Sequence, residues 1–116
     1  MLDQLQNIQH AIAQLKEWNK DVHCVNDLLE SPDGMKTLSA DCMLIQAIGE
    51  GVKQIDKITD GELFLLQPQI PWKQVKGMRD HIAHGYFDIN TDLVWSVISE
   101  DLDPLNSAIN FFIENI

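Results

Sequence analysis

A long, regularly spaced stripe of apolar residues in the middle of the chain constrains the fold more than any other feature. Between residues 38 and 58 the apolar side chains recur at helical spacing, and the stripe consists of Leu38, Cys42, Ile45, Ile48, Val52, Ile55 and Ile58. Gly49 and Gly51 interrupt it. Each glycine costs roughly 1 kcal/mol in a helix interior relative to alanine, so the pair predicts close packing of another helix or a local bend.

Helical patterns also precede this stripe. The stretch from Leu2 to about Trp18 is amphipathic, and residues 21–30 carry a second, shorter pattern. Ser31 can then cap a helix whose first residue is Pro32, a position that tolerates proline because its N–H would have no helical partner. We therefore expect the long central helix to begin at this point.

The next helix should follow the second proline of the segment 67–71. Pro71 is well placed to start it at Trp72, and Gly85 is a natural C-terminal cap. Its buried stripe would consist of Val75, Met78 and Ile82.

A final helical region should be capped by Asn90 or Thr91 and split into two pieces by Pro104. Its apolar face would consist of Val94, Ile98, Leu102, Leu105, Ile109 and Phe112. No extended two-residue alternation typical of strands accompanies these patterns. We therefore predict an all-α bundle of four to five helices, forming a single domain over residues 1–116.

Composition limits what such a bundle could bind. The chain carries 18 acidic and 8 basic residues, a formal net charge of −10, which argues against coating nucleic acid by bulk electrostatics.

An acidic N-terminus without a long apolar stretch predicts a cytoplasmic protein with no membrane span. Cys24 and Cys42 then read as reduced, partly buried thiols without metal-binding spacing.

The basic residues are unevenly spread. Lys73, Lys76 and Arg79, the only arginine, recur every three positions, and His81 and His84 follow closely. This cluster could bind phosphate locally, or it could be a solvated basic face that balances acids on a neighbouring helix. Spacing alone supports both interpretations equally.

Residues 72–86 contain an arginine, a polar residue, three further residues, a histidine, one residue and a tyrosine: Arg79, Asp80, His84 and Tyr86. With this motif the chain resembles the HEPN superfamily, most closely its HepT-like branch, formerly DUF86. Short sequence motifs on both sides of it also follow the order seen in the family: Ile48-Gly49-Glu50, Pro71-Trp72, residues 86–89 and Val94-Trp95. One departure is Gly51, where the family usually has alanine.

The resemblance implies a metal-independent endoribonuclease without cofactors, acting as the toxin of a toxin–antitoxin pair. Histidine exchanges protons near neutral pH, so His84 would exchange a proton with the 2′-hydroxyl or the leaving oxygen of RNA. Arg79 would stabilise the charge that builds on the phosphoryl oxygens. Asp80 could orient either side chain.

The resemblance also implies a partner, a minimal nucleotidyltransferase antitoxin. In this branch the motif tyrosine, here Tyr86, is the residue that the partner modifies with AMP. Lys73 and Lys76 are then candidates for binding RNA phosphates, while His81 has a supporting role at most. Trp72 could stack on a base, but a tryptophan at a helix start more often anchors packing.

Helix geometry predicts a symmetric dimer. His84 follows Arg79 by five positions, which places them about 140° apart around a helix and about 7.5 Å apart along it. Packing this helix against its copy would bring two arginines and two histidines to one cleft, as the family does.

Two other functional classes remain open. The cleft could hold a nucleotide, or dock the nucleotidyltransferase, without cutting RNA. Alternatively, the chain is an interaction-only helical dimer, in which the cleft is closed and the basic cluster is fully paired with acids. In a purely structural interpretation of the motif, Arg79 pairs with an acid, His84 caps a helix end and Tyr86 packs in the core. The intact motif favours the enzyme. Walker, nucleophile-elbow, zinc and di-iron motifs are absent from the sequence.

Overall fold

The computed structural model describes residues 1–82 and 87–115, apart from the side chain of Arg79. Within these residues the chain is an all-α bundle without strands, which confirms the predicted fold class. Six α-helices are present there, one more than the upper expectation, because a π-helical segment separates α5 from α6: α1 Leu2–Trp18, α2 Val25–Leu29, α3 Pro32–Ile58, α4 Trp72–Ile82, α5 Thr91–Ser96 and α6 Leu102–Glu114.

The long helix α3 is the centre of the bundle. It starts as predicted: the Ser31 hydroxyl accepts a hydrogen bond from the N–H of Gly34 at 2.9 Å, and Pro32 is the first helical residue. The helix packs against α1, α2, α4 and α5. Any residue on α3 can therefore face one of several neighbours, which the sequence pattern alone does not specify.

Close packing accounts for Gly51. A Cβ atom at this position would lie 3.1 Å from Cγ1 of Ile8, tighter than ordinary van der Waals contact. The absence of a side chain thus lets α1 approach α3. Helix α3 nevertheless continues through both Gly49 and Gly51 without interruption.

The predicted apolar stripes form the core, with exceptions at helix ends. All members of the α3 stripe are buried except Ile58, which is 56% exposed at the last helical residue. In α4, Val75 and Ile82 are buried and Met78 packs partly against the core. Residues at a helix terminus follow the periodicity but have fewer neighbours to cover them.

The C-terminal helical region corrects one expectation. Pro104 is not the point at which it divides, because this residue lies inside α6, which continues to Glu114. The irregularity precedes it as a π-helical segment, Val97–Asp101, in which the N–H of Leu102 bonds the carbonyl of Val97. The wider π turn shifts the helical phase, so Val97 is buried and Ile98 only partly.

The two cysteines are both free, and their environments differ. Cys24 is exposed, which corrects the expectation that both would be partly buried, and Cys42 lies in the core. Burial, and then the neighbouring Asp41, raise the pKa of the Cys42 thiol to about 11. That thiol therefore stays protonated and serves packing. Separately, no described helix is both long and apolar enough to span a membrane.

Candidate active site

Helix α4 carries the motif, and its first residue is held by aromatic packing. The Trp72 ring stacks on Phe64 with centroids 4.0 Å apart and contacts Phe112 at 5.9 Å. Its indole N–H donates to the carbonyl of Gln67 at 2.8 Å. Trp72 therefore fixes the start of α4 by packing, and one face of its ring is already covered by Phe64 of the same chain.

The apolar side of α4 faces the core and leaves its charged residues outside. Val75 and Ile82 are buried at 8% and 0% exposure. The exposed residues of the helix include Lys73, Asp80 and His81. Amphipathic packing thus orients the helix so that the predicted polar residues reach solvent.

The two predicted phosphate-binding lysines have different surroundings. Lys76 forms an ion pair with Asp56 of α3 at 2.8 Å, with both side chains roughly two-thirds to three-quarters buried. This ion pair agrees with the interpretation of the cluster as a basic face that balances acids on a neighbouring helix. Lys73 makes no ion pair with any described residue. The cluster is therefore only partly neutralised by neighbouring acids.

The central motif residues fall mostly outside the described part of the chain. The backbone of Arg79 lies in α4, but its side chain, His84, Gly85 and Tyr86 are not among the described residues. The convergence of Arg79 and His84 and the capping role of Gly85 remain predictions. Asp80 is exposed in the last turn of α4.

A backbone hydrogen bond joins the end of α4 to the chain that follows the motif. The N–H of Asn90 donates to the carbonyl of Ile82, the last residue of α4, at 2.7 Å. The Asn90 side chain also caps α5 by accepting from the N–H of Leu93 at 3.1 Å, as predicted. The end of α4 and the start of α5 are therefore held next to each other.

The structure adds two lysines that the sequence did not connect with the motif. Lys53 and Lys57 of α3 line a cleft of about 440 Å³, here named the lysine cleft, together with Asp56 and with Lys73, Lys76 and Gly77 of α4. The spacing of four between Lys53 and Lys57 was visible in the sequence. Which helix they face is decided only when α3 packs on α4.

His81 lies at the same part of α4. Its ring atoms Cδ2 and Nε2 are each 3.8 Å from the position that a Cβ of Gly77 would occupy, so the ring lies over a residue that lines the lysine cleft. The other two described histidines, His10 and His23, are exposed and lie in the N-terminal part of the chain, before α3. Among residues 1–82 and 87–115, no three His, Cys, Asp or Glu side chains are grouped to hold a metal ion.

Comparison with known proteins identifies the family. The profile of the ribonuclease HepT-like family matches residues 8–111, which run from α1 to α6 and include the motif. The chain belongs to this family. A protein of Thermococcus cleftensis named as a probable ribonuclease HepT is 31% identical to this HepT-like chain over 103 residues, covering 89% of this chain and 86% of the relative.

Two further relatives match over shorter stretches. A provisionally named RNase of Caldanaerobacter subterraneus subsp. tengcongensis is 32% identical, covering 56% of the HepT-like chain and 54% of its own length. A provisionally named RNase of Methanocaldococcus jannaschii is 33% identical, covering 54% of the chain and 49% of the relative. No solved structure matches.

Proposed function

We propose that this HepT-like protein is a metal-independent endoribonuclease and the toxin of a toxin–antitoxin pair. The observation that carries the proposal is the intact motif, with Arg79 and His84 both present in a chain whose relatives are named as ribonucleases. An anchored, solvent-facing α4 supports it, because RNA must reach these residues from outside.

The proposed reaction uses the 2′-hydroxyl of RNA as the nucleophile. A neutral imidazole of His84 takes the 2′-hydroxyl proton, and the 2′-oxygen forms a bond to phosphorus. The bond between phosphorus and the 5′-oxygen breaks, and a protonated imidazole supplies the proton to that leaving oxygen. The products are a 2′,3′-cyclic phosphate and a 5′-hydroxyl end.

Arg79 would act on the phosphate during this step. Negative charge concentrates on the two non-bridging oxygens as phosphorus becomes five-coordinate, and a forked guanidinium matches them with two N–H donors. Asp80, one residue further along α4, would orient a motif side chain by accepting a hydrogen bond. Lys73 and Lys76 would bind neighbouring phosphates of the same strand.

A homodimer would supply both proton-transfer roles. In a symmetric pair built around residues 79–86, His84 of one copy could act as the base while the second copy's His84 acts as the acid. The proposed antitoxin is a minimal nucleotidyltransferase, and both proteins would act in the cytoplasm, where RNA is present.

Cleavage in the presence of excess EDTA tests the proposal. The purified protein should cut single-stranded RNA and leave the DNA strand of the same sequence intact, because DNA lacks the 2′-hydroxyl. Arg79→Ala and His84→Ala should each abolish cutting, whereas His10→Ala, a matched exposed histidine on α1, should not. Cutting that survives both motif substitutions would refute the assigned site. Binding of RNA without any cutting would instead favour the non-catalytic module.

A further inference from the structure

The lysine cleft concentrates positive charge in a strongly acidic protein. Four of the chain's 8 basic residues line it, against a formal net charge of −10. Asp56 is the one acid among the described lining residues, and it is engaged by Lys76. Lys53, Lys57 and Lys73 make no ion pair within the described part of the chain.

Local energetics disfavour this arrangement. Lys53 and Lys57 are four residues apart on α3, a spacing at which like charges destabilise a helix by roughly 0.2–0.5 kcal/mol. Lys73 lies in the first turn of α4, where the helix dipole disfavours a cation. Only Lys57, in the last turn of α3, is favoured by a helix dipole. None of these three lysines has an ion-pair partner among the described residues, and only Lys57 is stabilised by a helix dipole.

An external anion would supply such a partner. We propose that the lysine cleft binds the backbone phosphates of single-stranded RNA next to the bond that is cut, with Lys53 and Lys57 of α3 as its contacts opposite Lys73 and Lys76. This inference rests on the proposed ribonuclease function and adds the path of the substrate. His81, over Gly77, borders that path.

The position of the cleft along α4 suits this role. Lys76 precedes Arg79 by three residues, one helical turn, and Lys73 precedes it by six, a rise of about 9 Å along the axis. A strand held at the motif would therefore continue along α4 into the lysine cleft. Ammonium groups on flexible stems contact phosphates as point charges, so the cleft binds RNA without reading its sequence.

Binding of an uncleavable strand tests this. A fluorescent 2′-O-methyl oligoribonucleotide is titrated with the full chain at several salt concentrations, for the wild type and for Lys53→Gln/Lys57→Gln. We expect the variant to bind more weakly, with a slope of log affinity against log salt shallower by about 1.4, since each lost single-strand phosphate contact removes about 0.7. The loss should be equal for oligonucleotides of different sequence.

The matched control removes the same charge elsewhere. Lys20→Gln/Lys36→Gln changes two exposed lysines outside the cleft, one of them paired with Glu17, and should leave the slope unchanged. A slope unaffected in the cleft variant, or reduced equally in both variants, would overturn the proposal. Displacement of the oligonucleotide by ATP at equal phosphate concentration would overturn it in favour of a nucleotide site.

The outcomes separate the two proposals. If the wild type cuts RNA and the cleft variant keeps its salt slope, then the cleft is not the phosphate path and the ribonuclease stands. If the wild type cuts nothing but the cleft variant loses binding, then the cleft binds RNA and the nuclease proposal fails. Circular dichroism of both double variants checks that they fold.

Discussion

Asn19 and Asp41 form a buried hydrogen bond between the end of α1 and the middle of α3, in which Asn19 Nδ2 donates to Asp41 Oδ1 at 2.8 Å. The carboxyl group is completely buried and the amide is 6% exposed. Within the described chain, Asn19 Oδ1 and Asp41 Oδ2 are both buried acceptors without a donor. A proton on Asp41 would supply one. Burial raises the pKa of Asp41 to about 6, opposed by the hydrogen bond from Asn19.

We expect this carboxyl to make folding depend on pH. Its pKa is about 4 in an unfolded chain and about 6 in the folded protein, so folding takes up a proton between these values. The associated stability is fully present below about pH 4 and is lost as pH rises through about 6, with a total of roughly 2–3 kcal/mol.

Asp41→Asn isolates this contribution, because the amide keeps the shape and carries donors without a charge. Urea unfolding at several pH values should show the variant gaining stability relative to wild type as pH rises from about 4 to about 7. A difference in unfolding free energy that stays constant over this interval would mean that Asp41 does not titrate there.

Two helical glycines should respond to alanine with opposite signs. A Cβ on Gly34 would lie 2.3 Å from the carbonyl oxygen of Asp27, a backbone atom that cannot move without separating α2 from α3. We expect Gly34→Ala to destabilise the protein by about 1–3 kcal/mol or more. Gly77→Ala meets His81 at an ordinary 3.8 Å and should stabilise α4 by up to about 1 kcal/mol. Denaturant midpoints measure both, and shifts of the same sign would contradict the packing described at Gly34 or Gly77.

Phe87 should contribute to the proposed dimer. It follows the motif directly and is 97% exposed, so a dimer built around residues 79–86 would bury apolar area on its ring. We expect the wild type to sediment as a dimer at micromolar concentration and Phe87→Ala to dissociate more readily. Met43→Ala, which removes a side chain that is 68% exposed on α3, is the control and should not change the dimer affinity. A wild type that is monomeric throughout would exclude a shared site.

Tyr86 should accept adenylate from the proposed antitoxin. The phenolic oxygen would form a bond to the α-phosphorus of ATP, with pyrophosphate as the leaving group. If Tyr86 lies near Arg79 as the motif predicts, the adenylate would add negative charge and bulk there and compete with the RNA phosphate. Incubation with ATP and the nucleotidyltransferase should add one adenylate mass to the wild type, none to Tyr86→Phe, and silence only the former. Inhibition of both proteins without any added mass would point to occlusion by the partner.

Most helix positions were predictable because their signals are local. Ser31 and Pro32 start α3, and Pro71 precedes α4, through interactions that span only a few residues. The C-terminal region was less predictable. A π segment changes the phase of the helix at Val97, and ordinary helical spacing had selected Ile98 for the core.

The sequence by itself determined the helical class, the ends of the main helices and the family motif from Arg79 to Tyr86. Periodicity, helix capping and short sequence motifs depend only on residues that are close together in the chain. Only the tertiary structure decided that Lys53 and Lys57 meet the lysines of α4, and that Asp41 is buried against Asn19. Those relationships depend on which faces of separate helices pack together. That choice minimises exposed apolar area over the whole chain and leaves no signature in any single segment.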